Sequence, residues 1–241
     1  MKKITIITAT LNSANKISTL INSLKKQSNK NFNWIVKDGG SVDSTLLKLS
    51  EIKKDISLKI IKGKDKGIYD ALNLAINKCK TEYYLVIGSD DILNSNAIDN
   101  FYKLIDDSTS YDIIASSWIV DNKVNHPKKN FGWLYGMLGL SSCHSVATLI
   151  KKSLHDKYGN YSLNFPICAD QLFIKNAVYG NCKIYRSNFV SGIFFKGGNS
   201  SQNTLQFLTE QFKVQLLTEK FQFFQLIIFV LRLLKHYRKL I

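Results

Sequence analysis

The chain opens with apolar and polar positions whose period switches repeatedly between two and about 3.6. "ITIITAT" (4–10) is a β-branched run ending in polar residues, the pattern of a buried strand. In 13–27, Ile17, Leu20, Ile21 and Leu24 recur at helical spacing and predict an amphipathic helix. "FNWIVKDGG" (32–40) predicts a second strand stopped by two glycines, and 42–54 a helix with Asp43 or Ser44 near its cap. A third strand is expected at 57–63 and a helix at 67–80, with Ile68, Leu72, Ala75, Ile76 and Cys79 on one face. "EYYLVIG" (82–88) reads as the fourth strand. This alternation predicts an α/β fold, a mostly parallel Rossmann-like sheet with helices on both faces. Ligands of such sheets bind beyond the carboxyl ends of the strands. Those ends lie at 8–10, 38–41, 62–66 and 88–91, and all are polar or charged.

After residue 110 the pattern is less regular. Residues 111–120 are strand-like, 121–145 read as a long loop or short helices, and "SVATLIKK" is strand-like again. A helix is predicted at 168–179 and one or two strands at 182–195. No internal repeat occurs, and the near absence of proline argues against stiff interdomain linkers. Residues 205–241 are aromatic, aliphatic and basic. Their most apolar part, 221–231, is too short to span a bilayer, and basic residues follow at once. A long amphipathic helix with a basic tail is expected there. It suits an anionic membrane surface, and it equally suits packing on the core or on a second subunit as a homodimer.

Charge narrows the partners. Thirty-three Lys and Arg against 18 Asp and Glu give a formal +15, which favours an anionic partner. Without a recognition motif or an aromatic–basic RNA signature, a nucleic-acid-binding protein is the weaker alternative. The cysteines, Cys79, Cys143, Cys168 and Cys182, include no C-x-x-C pair, so free thiols in a reducing compartment are expected. The basic start has too short an apolar run for a signal peptide.

Candidate chemistry begins at "GSDDIL". Asp90 and Asp91 are adjacent carboxylates at a strand end, and both stay ionised cheaply only beside a positive charge. Mg²⁺ or Mn²⁺ meets that need, since such ions bridge carboxylates to substrate phosphates. Helix capping is the alternative for this stretch. In "KDGGSVDST" (37–45), Asp38 ends a strand, Gly39 and Gly40 permit close backbone approach, and a helix N-terminus follows. In "KDKGIYDALN" (64–73), Lys64 and Lys66 suit phosphate, and Asp70 and Asn73 share a helix face. Asp170 opens an otherwise apolar helix, either as a base or as a carboxylate favoured by the macrodipole. Trp118, Trp133 and Tyr135 are either sugar-stacking or core aromatics.

The order and spacing of "ITIITATLNSANK", "VKDGGSVDST", "DKGIYDALNLAI" and "YYLVIGSDDIL" resemble the inverting family-2 glycosyltransferases of GT-A fold. The downstream "CHSVATLIKK", "ADQLF" and "GGNSS" resemble the branch that contains colanic-acid and O-antigen sugar transferases. The resemblance covers about residues 1–205. It implies a GT-A domain over 1–204, with a nucleotide-sugar part (1–110) and an acceptor part (111–204), and a basic amphipathic helical tail at 205–241. It implies that Thr8, Ala9, Thr10 and Asn12 cradle base and ribose, that Asp38 with Gly39 reads the base, and that Lys66, Gly67, Asp70 and Asn73 form the donor pocket. Ser89, Asp90 and Asp91 match a DXD-type motif, Asp91 as metal ligand and Asp90 toward ribose or sugar. Asp170 matches the general base, and His144 sits near diphosphate, metal or acceptor. Ser145, Gln171 and Leu74 depart from the family's usual Gln, aromatic and Lys. The implied reaction uses a nucleotide-diphospho-sugar, a UDP-sugar, and Mn²⁺ or Mg²⁺. The implied acceptor is a saccharide linked to undecaprenyl diphosphate at the inner, cytoplasmic face of the cell membrane, in surface polysaccharide synthesis. Sugar-phosphate nucleotidyl transfer is the rival enzyme class, although its glycine-rich signature is missing.

Overall fold

The computed structural model describes residues 2–52, 55–105, 110–142, 145–195 and 203–239. Strands β1 (Ile4–Thr10), β2 (Phe32–Asp38), β3 (Leu58–Lys62) and β4 (Tyr83–Val86) alternate with helices α1 (Ala14–Lys25), α2 (Thr45–Glu51) and α3 (Ile68–Ile76), as the periodicity predicts. The chain continues through β5 (Ile92–Leu93), α4 (Ala97–Ile105), β6 (Ile113–Val120), β7 (Lys123–Asn125), α5 (Gly132–Tyr135), β8 (Thr148–Lys151), α6 (Leu154–Tyr158), α7 (Ala169–Tyr179) and β9 (Ile184–Ile193). It closes with α8 (Thr204–Thr218) and α9 (Gln222–His236).

The described strands form one sheet in the order β3-β2-β1-β4-β8-β6-β9-β5, with β7 paired to β6. Pairing is parallel from β3 to β4 and again between β6 and β9. Strand β8 runs antiparallel to both of its neighbours. Most paired residues are therefore parallel, and the two parallel blocks meet at β8. The GT-A-like α/β architecture expected from the sequence is the one observed, with Thr10 in register with Asp38 at the rim.

Period-two alternation along β1 divides the core. Ile4 and Ile6 pack on one face with Ile17 and Leu20 of α1, Leu49 of α2 and Phe101 of α4. Ile7 points to the other face, with Leu72 of α3, Leu154 of α6, Phe173 of α7 and Val214 of α8. Each fully buried aliphatic side chain stabilises by about 1.5–3 kcal/mol. The sheet is thus clamped on both sides, which leaves its strand ends as the exposed polar edge.

The C-terminal segment is helical, as expected, and forms two helices. It breaks at Glu219, whose backbone is extended and whose carboxylate reaches Lys175 Nζ and Tyr179 Oη on α7, both at 2.5 Å. The two pieces have opposite characters. Helix α8 buries Leu208, Glu210, Val214 and Gln215, whereas Gln225 is the buried residue of α9. No helix among the described residues is long and apolar enough to cross a membrane.

Candidate active site

The turns after β1 and β2 are tied together. Asn12, in the left-handed region at φ 48°, accepts at Oδ1 from Val42 N (3.0 Å), and its own N–H donates to Ser41 Oγ (2.8 Å). Asp43 accepts from Ala14 N at 3.0 Å. Asp38 is fully buried, and its carboxylate closes its own turn by accepting from Gly40 N, Ser41 N and Ser41 Oγ. Gly39 lies against Leu11 and the Asp65 carboxylate, and a Cβ there would come within 3.1 Å of Asp65 Oδ2. Thr8 is internal, accepting from Trp34 Nε1 at 3.1 Å, while Ala9 is half-buried. Thr10 Oγ1 is buried at the rim with no hydrogen-bond partner in the structure. A buried hydroxyl of this kind is costly unless something pairs with it.

Beneath this rim lies Lys37, a residue that the sequence reading passed over. Its ammonium is buried and donates to Asp38 O (3.0 Å), Gly63 O (2.6 Å) and Asp65 Oδ2 (2.8 Å). It therefore joins the end of β2 to the turn after β3. Its only sequence signal is a lysine inside an apolar strand.

That turn leads into α3. Asp65 Oδ1 accepts from Gly67 N, and Asp70 Oδ2 accepts from Lys66 N at 2.9 Å. Gly67 sits at φ 116°, a conformation that favours glycine. The side chain of Lys66 is exposed. Asn73 turns inward and exchanges two 2.9 Å bonds with the backbone of Tyr161.

At the end of β4, Asp90 and Asp91 converge over Gly88. A Cβ on Gly88 would lie 2.9 Å from Asp91 Oδ2 and 3.1 Å from Asp90 Oδ1. Asp90 is paired with Lys16 Nζ at 3.3 Å, in the first turn of α1. Ser89 Oγ lies 3.3 Å from Ser13 Oγ. Asp91 is only 2 % exposed and accepts from Gly88 N (3.1 Å) and Phe195 N (3.2 Å). Burial, with the neighbouring Asp90 carboxylate adding to it, pushes its pKa up to about 7 against the pull of those two N–H donors. A carboxylate so short of positive charge is suited to a cation. No group of three or more His, Cys, Asp and Glu converges here among the described residues. A metal at this edge would take the acid pair and complete its shell from phosphate or water, as Mg²⁺ does. His144, also expected near a metal, lies outside the described residues.

Asp170 stands in the first turn of α7, in a small cleft that also reaches Val86, the last residue of β4. Val86 thus borders the cleft, and the chain runs on from it to Asp90 and Asp91. Burial raises the pKa of Asp170, opposed by hydrogen bonds from Tyr69 and from Gln171 N. Tyr69 Oη lies 2.7 Å from Asp170 Oδ1 and 2.8 Å from Ile167 O. A phenol has one proton, so it serves these two acceptors in turn. It donates to the ionised carboxylate. Once Asp170 is protonated, the acid can donate to Tyr69 while Tyr69 turns its proton to Ile167 O. The pair can thus take up a proton without breaking its contact.

The helix that carries Asp170 is held from behind by α8. Glu210 Oε2 accepts from Ile167 N (2.8 Å) and Cys168 N (2.9 Å), which satisfies backbone donors at the start of α7. "GIYDALN" offered Tyr69 beside a residue already singled out. Nothing in "LQFLTEQF" marks this role of Glu210: Gln206 Nε2 donates to its Oε1, but the groups it supports are backbone donors 42 and 43 residues away. Trp118 is buried in the core, whereas Trp133 and Tyr135 are exposed on α5.

Residues 5–179 match the family described as Glycosyl transferase family 2. The chain belongs to that family. A relative in Mycobacterium bovis, "PGL/p-HBAD biosynthesis glycosyltransferase", is 26 % identical over 175 residues, 68 % of this chain and 65 % of the relative. The chain thus spans about 65 % of the length of the curated relatives it first matches. Among solved structures, S. aureus TarS 1-349 in complex with UDP-GlcNAc aligns with a TM-score of 0.71 at 19 % identity, covering 98 % of this chain and 73 % of that one. The mannosyltransferase PcManGT from Pyrobaculum calidifontis, in complex with GDP-Man and Mn²⁺, aligns with a TM-score of 0.69 at 14 % identity, covering 90 % of this chain and 65 % of that one. At such identities these two likenesses speak for the fold of this family-2 chain.

Proposed function

We propose that this family-2 chain is an inverting glycosyltransferase. It moves a sugar from a UDP-sugar to a saccharide acceptor carried on undecaprenyl diphosphate, in assembly of O-antigen, capsule or exopolysaccharide at the cytoplasmic face of the membrane. The observation that carries this reading is the pairing of two unlike acidic sites at one strand end. Converging Asp90 and Asp91 follow β4, whose last residue, Val86, lines the cleft of Asp170, itself hydrogen-bonded to a phenol. The nucleotide would lie along the rim formed by Ala9, Thr10, Asn12, Gly39, Lys66, Gly67, Asp70 and Ser89. Thr8, Asp38 and Asn73 would support it through the internal bonds described above.

Asp91, with Asp90 beside it, would hold Mn²⁺ or Mg²⁺. That ion would supply compensation for the charge of the diphosphate. Asp170 accepts the proton of the acceptor hydroxyl as that oxygen bonds to the anomeric carbon. The bond from the anomeric carbon to the diphosphate oxygen breaks on the opposite face, so the configuration inverts. The raised pKa of Asp170 suits a base, and the hydrogen bond from Tyr69 favours its ionised form. Mn²⁺ with GDP-Man in PcManGT and UDP-GlcNAc in TarS support a nucleotide-sugar donor and a divalent metal.

Incubation of the purified protein with a panel of UDP- and GDP-sugars, with and without Mn²⁺ or Mg²⁺, tests the reading. Metal-dependent release of UDP or GDP is expected. Release of pyrophosphate would instead mean nucleotidyl transfer, and no turnover with any donor, metal and glycan acceptor would overturn the proposal.

A further inference from the structure

Helix α9 is amphipathic in the wrong sense for a helix on a globule. Its inward side carries Gln225, Phe229 and Arg232, spaced one turn apart. Gln225 Nε2 donates to Trp133 O (2.9 Å), Arg232 donates to Gln211 Oε1 (2.7 Å) and to Leu134 O, and Phe229 stacks on Phe212 of α8. Its apolar side faces out. Phe223 is 72 % exposed, Leu231 59 % and Leu234 67 %, with Phe224, Ile227 and Val230 on the same face. Fixed polar contacts hold the helix in this orientation, so it cannot bury its apolar side by rolling over. A contiguous apolar face of this kind marks an interaction surface.

The charges choose the occupant. Residues 220–239 contain no acidic residue, and Lys220, Lys235 and Arg238 are exposed at the two ends of the face. A second copy packed on it in either direction would bring these cations against each other, with no carboxylate from the same segment to relieve them. An anionic bilayer surface satisfies both features at once, because it takes the aromatic and aliphatic side chains below the headgroups and pairs the cations with them. The face also has a direction. Helix α9 packs on α5, where Trp133 and Tyr135 are exposed, and Met137, just after α5, lines the Asp170 cleft.

We propose that the outer face of α9, extended by the exposed aromatics of α5, lies in the surface of an anionic membrane and sets the Asp170 cleft beside it. The docking follows from the helix alone. Only its purpose, to present a lipid-borne acceptor to Asp170, rests on the transferase reading.

Flotation with vesicles of phosphatidylcholine, with and without phosphatidylglycerol, tests it on the full chain. The protein is expected to float with the anionic vesicles. The combined substitution Phe223→Gln, Leu231→Gln and Leu234→Gln leaves the inward contacts intact and is expected to weaken vesicle affinity by at least about tenfold, with an unchanged thermal midpoint. Lys235→Gln with Arg238→Gln should remove mainly the dependence on phosphatidylglycerol. Failure of the wild type to float, or equal flotation of the triple variant, overturns the proposal. So does light scattering that shows a wild-type dimer made monomeric by the triple variant, since a second copy would then cover the face. Flotation needs no donor sugar, so this result stands or falls apart from the transferase reading.

Discussion

The two acidic sites at the end of β4 are built from the same group in opposite ways. Asp91 is held by two backbone N–H groups beside another carboxylate, and its pKa rises to about 7. Asp170 is held by a phenol and a helix N-terminus, and both pull its raised pKa back down. Burial sets the direction in both places. What differs is the supply of compensation. At Asp91 only backbone N–H groups oppose burial and a second carboxylate adds to it, whereas at Asp170 a phenol side chain joins the backbone donors. The first arrangement suits binding a cation, and the second suits exchanging a proton.

The sharpest test of that contrast replaces each carboxylate by its amide. Asp170→Asn should lower transfer by roughly a thousandfold, in the range of a lost general base, while donor affinity measured by calorimetry stays unchanged. Asp91→Asn should lower transfer too, but through the donor, by abolishing the effect of Mn²⁺ on donor affinity. Equal loss of donor binding in both variants would mean that the two sites are one.

A smaller effect is expected from the phenol. The bond from Tyr69 favours ionised Asp170, so Tyr69→Phe should raise the carboxyl's pKa further. The base must be ionised to act, so the acidic limb of the kcat/KM profile should move to higher pH. On the acidic limb the loss should be about tenfold for each pH unit that the limb moves, and it should shrink as the pH rises. A uniform loss across the profile would make Tyr69 a packing residue only.

The smallest effect concerns the support behind α7. Glu210→Gln keeps the shape but weakens two hydrogen bonds to a charged acceptor, so urea unfolding should show a loss of about 1–2 kcal/mol. Transfer should fall only a few-fold. A variant as stable as the wild type would separate α8 from the Asp170 site.

The parallel half was legible because its signals are local. Ile4, Ile6 and Ile7 alternate within one strand, and Gly39 and Gly88 mark the turns that follow their strands. The acid pair was visible because two charges at the end of an apolar run need an explanation. The expectation for α8 and α9 failed to separate them, because both are apolar and aromatic. Only the packing reveals that α8 faces in and α9 faces out. Lys37, Tyr69 and Glu210 were missed for a related reason. Each acts on a group distant in sequence, and Lys37 and Glu210 act mainly on peptide groups, which every residue has.

Glu210 also bears on the order of events during synthesis. It follows Ile167 by 43 residues, so the start of α7 emerges well before the carboxylate that will satisfy it. Domains made on the ribosome fold as units, from the N-terminal side onward. The turns on the nucleotide side emerge first, but Asp91 waits for Phe195 N, and the helix bearing Asp170 waits for α8. A nascent chain of this kind would complete neither acidic site until its last third emerges, so an unfinished copy would hold neither the cation nor the proton acceptor in place.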